Sequence, residues 1–119
     1  MPTMKTKSEL LKDARTHVPE VTPLDLSRQN PRPAIVDVRE KQETDAGTLP
    51  FAKVVPRGFL ELRIEEAVPD RGADIVLYCA GGTRSLLAAK TLQEMGYQTV
   101  FNAGGFKEMA DVGLDTEPG

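Results

Sequence analysis

The chain has 119 residues, of which 39% are hydrophobic and 28% charged, with a net charge of −3 and a single cysteine. This length suffices for one domain with its own core, and a single cysteine excludes an internal disulfide. No basic patch indicates a nucleic-acid partner, and no apolar run approaches the ~20 residues that span a bilayer. We expect one domain over 1–119 with loose ends at 1–5 and 115–119. The lone cysteine and the absence of a signal-peptide core over the first residues favour a cytoplasmic location without membrane contact.

Short helices and strands are predicted to alternate before residue 70. Thr22 followed by Pro23 is a typical helix start, and Pro19 suits an edge strand. In chain order, the predicted elements are a helix over 6–16, an edge strand over 17–21, a helix over 23–26, a buried strand over 34–38, one or two helical turns within 39–46, a strand over 52–55 and a helix over 57–66.

The stretch 74–96 has the most informative pattern in the chain. An apolar run at 75–78 predicts a buried strand and leads directly to Cys79, and apolar residues at helical spacing then extend to a stop at Gly96. A further strand over 97–101 completes a strand–helix–strand unit, which we expect to be right-handed and parallel. A last helix is predicted over 106–111. Cys79 therefore lies at the carboxyl end of a strand, where open α/β sheets bind their ligands.

Cys79 is followed by residues that favour a negatively charged sulfur. Consecutive backbone N–H groups in a tight turn form an anion-binding nest, and the helix beginning near Arg84 adds a partial positive charge to that of the guanidinium. These features favour the reactive thiolate. The alternative is an inert buried cysteine that packs as a small hydrophobe. The polar residues after Cys79 favour the reactive interpretation.

Four segments of the chain resemble motifs of the rhodanese family. Residues 79–85, CAGGTRS, resemble its active-site loop, and 35–52, IVDVREKQETDAGTLPFA, are similar to its D-V-R-E-x-x-E stretch. Residues 55–61 resemble the P-R-G-x-L-E segment of bacterial single-domain members, and 102–106 match the Gly-Gly turn after the last strand. The four motifs occur in the family's order and cover most of the chain.

Some positions depart from the family pattern. Thr44 replaces an aromatic residue, Thr48 a histidine, Leu49 an isoleucine and Phe51 a glycine. In the loop, Ala80 stands where classical members often carry a basic residue. The first four departures concern a turn, whereas Ala80 concerns how thiosulfate is held.

The resemblance implies a three-layer α/β domain with a mostly parallel sheet of about five strands flanked by helices. It implies a thiosulfate sulfurtransferase-type enzyme without cofactor or metal, in which Cys79 is the nucleophile and carries a persulfide. A small anionic donor such as thiosulfate would supply the sulfur, and cyanide or a thiol would accept it. The residues expected to bind the substrate are Ala80, Gly81, Gly82, Thr83, Arg84 and Ser85.

Two other activities remain open on the same fold. One is a low-turnover persulfide carrier or sensor that acts with a protein partner in a sulfur relay, which Ala80 favours. The other is a phosphatase or arsenate-reductase activity, for which the family's relatives use seven residues from cysteine to arginine. Cys79 to Arg84 spans six residues, as in the sulfur-transferring branch.

Four further residues have open roles. Asp37 ends a buried strand, where it either orients groups of the loop or caps the strand. Arg57 either reaches the mouth of the active site or lies in solvent at a helix start. Arg84 either binds the donor or braces the loop. His17 is the only histidine, and without partners at metal-binding spacing it predicts no metal site.

Overall fold

A parallel sheet with helices on both faces forms the protein, as seen in a computed structural model that describes residues 5–29, 31–49 and 51–111. The helices are α1 (Lys7–His17), α2 (Pro23–Ser27), α3 (Lys41–Asp45), α4 (Leu60–Ala67), α5 (Thr83–Glu94) and α6 (Phe106–Asp111). The strands are β1 (Ala34–Asp37), β2 (Lys53–Val54), β3 (Asp74–Cys79) and β4 (Thr99–Gly105), and a 3₁₀ turn, Arg57–Phe59, precedes α4. Within these ranges no helix has the length and apolar character needed to cross a membrane. The predicted loose ends lie outside the described residues, except for Lys5.

The strand order β2-β1-β3-β4 creates a crevice at one edge of the sheet. All neighbouring strands are parallel, and Asp37 at the end of β1 pairs in register with Tyr78 near the end of β3. The chain leaves β1 towards one side of the sheet and leaves β3 towards the other. In parallel sheets, ligands bind where the connections diverge in this way, outside the carboxyl ends of the strands. Cys79, the last residue of β3, lies at this point.

The side chains of β3 alternate between two hydrophobic layers, as expected for a strand buried on both faces. Ile75, Leu77 and Cys79 belong to the layer beneath α1, α4 and α5, whereas Val76 and Tyr78 belong to the layer beneath α2 and α6. The three-layer parallel α/β architecture predicted from the resemblance is thereby confirmed. Because of this alternation, the Cys79 sulfur faces the N-terminus of α5.

The sheet has four strands in the described part of the chain, not about five. The predicted edge strand over 17–21 is reduced to one parallel bridge between Glu20 and Asn102. Only two backbone hydrogen bonds form it, Asn102 N–H to the Pro19 carbonyl and Val21 N–H to the Asn102 carbonyl, both 3.1 Å. Thr22 then caps α2 through its hydroxyl, which accepts from Asp25 N–H, so the chain leaves the sheet edge after one bridge.

Two boundaries differ from the prediction: the last strand is longer, and the helix predicted to begin near Arg84 begins one residue earlier. The strand predicted over 97–101 is β4, Thr99–Gly105, which includes the glycine pair predicted as a turn. Its pairing with β3 shifts register between Leu77 and Tyr78. Gly104 has a φ of +92°, which glycine adopts without strain, so the strand continues through the irregularity. Helix α5 begins at Thr83, since Gly82, with a φ of +94°, precedes it as the N-cap.

Candidate active site

Cys79 is held at the base of a loop that faces solvent. The residue is only 1% exposed, and Ser85 is also buried, whereas Ala80, Gly81 and Thr83 are exposed. The sulfur therefore lies inside the protein surface, next to the exposed residues of the loop. A cavity of about 340 Å³ lies beside the loop, between Gly81–Gly82 and the segment that opens α2.

Hydrogen-bond donors of Gly82 and Ser85 converge on the Cys79 sulfur. The Gly82 N–H lies 2.9 Å from Sγ and the Ser85 N–H 3.5 Å from it. The Ser85 hydroxyl oxygen lies 3.4 Å from the same atom. Gly82, the left-handed N-cap residue, supplies one N–H, and the first turn of α5 supplies that of Ser85, which has no carbonyl partner inside the helix. The loop is therefore an anion cradle centred on one sulfur atom.

These contacts determine the ionisation of the thiol. Burial raises the pKa of Cys79, because a charged sulfur is poorly solvated inside the protein. Hydrogen bonds that the thiolate accepts from the Ser85 hydroxyl and amide, and from the amides of Gly82 and Gly81, lower it by more. The pKa of Cys79 consequently lies below the ordinary value of a cysteine. A larger share of thiolate, the nucleophilic form, is available near neutral pH.

Arg84 is engaged by a carboxylate from a distant part of the chain. Its two terminal nitrogens donate to Glu43 Oε1 at 2.6 Å and Oε2 at 2.9 Å. The hydrogen bonds from Arg84, with a smaller contribution from the Glu40 N–H, lower the pKa of Glu43 to about 2, and the bonds to Glu43 raise the pKa of Arg84. Glu43 Oε1 also accepts the backbone N–H of Glu40 at the start of α3. The pair joins the loop to α3, which agrees with the bracing role for Arg84.

Asp37, at the end of β1, forms a buried ion pair with Arg39. The carboxylate is fully buried and accepts from the Arg39 guanidinium at 2.8–3.2 Å, from the Arg39 N–H at 3.0 Å and from the Thr48 hydroxyl at 2.8 Å. Burial raises the pKa of Asp37, but the hydrogen bonds from Arg39, Tyr78 and Thr48 together lower it by more, so that it lies below its ordinary value. These partners agree with the strand-cap role of Asp37. Arg39 also packs 4.1 Å from the centre of the Phe106 ring.

Arg57 and His17 lie away from the loop contacts. The Arg57 guanidinium is 3.3 Å from Glu61 and 3.3 Å from Thr91, which is eight residues into α5 and thus about 12 Å along its axis from Thr83. These contacts agree with the helix-start alternative and not with a role at the loop mouth. His17 is exposed and hydrogen-bonds the Asp13 carbonyl oxygen. Among the described residues, no three acidic, histidine or cysteine side chains gather as metal ligands.

Asn102 is a site residue that the sequence did not single out. Its side chain is buried beside the loop, where Nδ2 donates to the Gly82 carbonyl at 3.1 Å. Its Oδ1 accepts from the Ser85 hydroxyl at 2.6 Å and from the Gly104 N–H at 3.2 Å. The available signal was a polar residue in the middle of an apolar strand. Buried amides are rarely placed there without hydrogen-bond partners.

Comparisons with known proteins agree with this geometry. Residues 21–111 match the rhodanese-like domain. The chain is 37% identical over 75 residues to the thiosulfate sulfurtransferase PspE of Escherichia coli, which covers 63% of this chain and 72% of the relative. It is 37% identical over 71 residues to a sulfurtransferase of Allochromatium vinosum, covering 60% of this chain and 64% of that protein.

Solved structures show the same fold. A rhodanese with anions from Escherichia coli is 36% identical with a TM-score of 0.62, covering 65% of this chain and 91% of that one. A protein of unknown function from Rhodopseudomonas palustris, described as a possible tyrosine phosphatase, is 30% identical with a TM-score of 0.79, covering 95% and 96%. With the family match spanning most of its length, the chain belongs to the rhodanese-like domain family.

Proposed function

We propose that the protein is a sulfurtransferase that moves a sulfane sulfur from thiosulfate, or a related anionic donor, to cyanide or a thiol through a persulfide on Cys79. The observation that carries this proposal is the convergence of the Gly82 N–H, the Ser85 N–H and the Ser85 hydroxyl on one sulfur atom. The names of the two sulfurtransferase relatives support the reaction class. The lone cysteine suits a reducing compartment, and we place the reaction in the cytoplasm.

The first half-reaction is a displacement at sulfur. The Cys79 thiolate attacks the outer sulfur of thiosulfate, a new S–S bond forms, and the S–S bond of thiosulfate breaks with its electron pair leaving on sulfite. The total charge of −3 is the same before and after, and it is then shared between a persulfide and sulfite. The loop amides stabilise the charge that moves to the terminal sulfur, as an oxyanion hole does for oxygen.

The second half-reaction restores the thiolate. Cyanide attacks the terminal sulfur of the persulfide, a C–S bond forms, and the S–S bond breaks with its electrons returning to Cys79. The products are thiocyanate and the Cys79 thiolate. A thiol acceptor would follow the same course and yield its own persulfide. The donors of the loop stabilise the negative sulfur of both the Cys79 thiolate and the Cys79 persulfide. Cys79, Gly82 and Ser85 therefore act in both half-reactions.

The six-residue loop and its bracing support sulfur transfer over phosphate chemistry. The chain from Cys79 to Arg84 has one residue fewer than the phosphatase loop and encloses a smaller ring. Arg84, the group that would hold a phosphate, is paired with Glu43 through both terminal nitrogens. Hydrolysis of p-nitrophenyl phosphate by the purified protein, and its absence in Cys79→Ser, would instead support a phosphatase activity, as suggested for the Rhodopseudomonas palustris protein.

A persulfide carrier that works with a protein partner is the second candidate function. The specific observation for it is Ala80, an exposed residue where a basic side chain would attract free thiosulfate. In this alternative a protein or glutathione persulfide loads Cys79, and a partner in a sulfur relay unloads it. Loading by free thiosulfate would then be slow.

One experiment separates these candidates. The protein is incubated with thiosulfate or with glutathione persulfide, its intact mass is followed over time, and thiocyanate formation is assayed with cyanide in parallel. We expect thiosulfate to add the mass of one sulfur within the turnover time, and Cys79→Ser to lose both the added mass and thiocyanate formation. Loading by glutathione persulfide alone would favour the carrier. Thiocyanate formation that survives in Cys79→Ser, with an unchanged melting temperature, would refute the proposed mechanism.

A further inference from the structure

The orientation of the Asn102 side chain is determined by its backbone partners. The Gly82 carbonyl can only accept a hydrogen bond, so the nitrogen of the amide must face it at 3.1 Å. The Gly104 N–H can only donate, so the amide oxygen must face it at 3.2 Å. Neither bond survives a flip of the amide. The atom that lies 2.6 Å from the Ser85 hydroxyl is therefore the oxygen, which has no proton to give.

The Ser85 hydroxyl has two possible acceptors and one proton. Because Asn102 Oδ1 only accepts, the short contact of 2.6 Å requires that the Ser85 proton points to Asn102. The Cys79 sulfur, at 3.4 Å, then faces a lone pair of the Ser85 oxygen. That arrangement suits a protonated thiol, which donates its own proton to Ser85. It does not suit a thiolate, which needs the Ser85 proton for itself.

We propose that Asn102 is a positioning residue for sulfur transfer, which sets whether Ser85 donates to the amide oxygen or to the Cys79 sulfur. In the resting protein the chain of donors runs from Cys79 through Ser85 to Asn102. When the thiol ionises, its proton passes to the buffer and the Ser85 hydroxyl rotates towards sulfur. Asn102 Oδ1 keeps the Gly104 N–H as its partner, so no buried atom is left without one.

The inference deepens the proposed function and depends on it for its place in the reaction, because the thiolate that Ser85 stabilises is the nucleophile of the first half-reaction. Asn102 competes with that thiolate for one proton. The amide therefore opposes ionisation of Cys79 while its bond to the Gly82 carbonyl holds the loop in place. A merely structural residue would do only the second.

The other charged groups near the loop do not compete for the Ser85 proton. From α5, Arg84 interacts with the charge of Cys79 and is paired with Glu43 of α3. From α6, the Glu108 carboxylate lies against Gly105. From β1, Asp37 is neutralised by Arg39. None of these groups bonds to the Ser85 hydroxyl in the described residues, so Asn102 and Cys79 are the acceptors between which it chooses.

The test is a double-mutant cycle on the thiol titration. The rate of alkylation of Cys79 by iodoacetamide is measured against pH in the wild type, Asn102→Ala, Ser85→Ala and the double variant. We expect Asn102→Ala to lower the midpoint of the alkylation curve when Ser85 is present. This decrease should exceed the change that Asn102→Ala causes in the Ser85→Ala background by about one pH unit. If Asn102→Ala merely loosens the loop, it shifts the midpoint equally in both backgrounds, and this shift cancels in the difference. A difference of zero, or one of opposite sign, would overturn the proposal.

A second measurement uses the protein with Asn102 in place. The ¹⁵N-resolved signal of the Asn102 side-chain amide is followed by NMR as Cys79 titrates. We expect it to shift with the alkylation midpoint in the wild type and to lose most of that shift in Ser85→Ala. An equal shift in both proteins would contradict the proposal even if Asn102→Ala does not fold. Neither measurement uses a sulfur donor, so a failed thiocyanate assay with a positive cycle would refute the proposed reaction and leave the effect of Asn102 on the ionisation of Cys79 intact.

Discussion

Replacing Glu43 by glutamine tests whether Arg84 braces the loop or binds the donor. The substitution keeps an amide oxygen of similar shape that still accepts the Glu40 N–H, but it removes the charge that holds the Arg84 guanidinium at 2.6 and 2.9 Å. If Arg84 is a brace, the change loosens the attachment of the loop to α3. If Arg84 is a donor site masked by Glu43, the change releases it for thiosulfate.

The expected loss of stability follows from the geometry of the pair. The two side chains are 34% and 33% exposed, so solvent screens their attraction, while the bidentate contact places the pair at the upper end of the range for partly exposed pairs. We expect Glu43→Gln to lower the free energy of unfolding by about 1 kcal/mol. For a domain of this size that corresponds to a decrease of about 4 °C in melting temperature.

The stabilisation that the Arg84–Glu43 pair provides should decrease at acidic pH. The bonds from Arg84, and to a lesser extent the Glu40 N–H, lower the pKa of Glu43 from 4.5 to about 2 in the folded protein. The pair therefore stabilises the fold fully above pH 4.5, and its contribution is lost as the pH falls through about 2. The difference in stability between wild type and Glu43→Gln should be largest at neutral pH and vanish near pH 2.

Chemical denaturation at several pH values, combined with thiocyanate kinetics, measures both effects. We expect Glu43→Gln, Arg84→Ala and the double variant to have similar free energies of unfolding and similar kcat/KM for thiosulfate, because either substitution breaks the same brace. Asp45→Asn is the matched control, since it breaks an exposed pair with Lys41 on the same helix and should change neither quantity. A lower KM in Glu43→Gln with a higher KM in Arg84→Ala would show that Arg84 binds the donor.

Three further substitutions probe other parts of the site. Gly82→Ala should lower stability by about 1–2 kcal/mol and slow alkylation of Cys79, because alanine at a φ of +94° is strained and the N–H moves off the sulfur; unchanged alkylation kinetics would contradict this. Asp37→Asn should cost about 3–5 kcal/mol in urea denaturation, because it leaves the buried Arg39 without its anion; a loss below about 1 kcal/mol would show that the pair is dispensable. Arg57→Ala should leave the thiosulfate KM within about two-fold of the wild type, and a ten-fold rise would place Arg57 at the mouth of the site.

The strand, loop and helix around Cys79 could be predicted because their signals are local. An apolar run, two glycines and residues at helical spacing follow each other within 74–96, and each defines its own element. The glycine at position 82 adopts the positive φ that such a turn requires. The side of the sheet on which Cys79 lies follows from the alternation of β3, which is also a local property.

The partners of the loop could not be predicted because they come from distant segments. Glu43 precedes Arg84 by 41 residues and Asn102 follows Ser85 by 17, so both contacts depend on the order and register of the strands. Arginine is usually exposed, but Arg39 is buried because its charge is compensated by Asp37 from the end of β1. The strand count differed because proline and a helix cap limit residues 17–21 to one bridge.

The same short bridge has a consequence for how copies of the protein behave at high concentration. An uncovered strand at the border of a sheet offers unpaired backbone groups to a neighbouring molecule and promotes aggregation. Along β4 this border is occupied around Asn102 by a segment containing Pro19, a residue that cannot donate to an additional strand. At the opposite border, β2 is only two residues long and contains an exposed lysine, Lys53. Both borders thus discourage intermolecular strand pairing without a dedicated protective element.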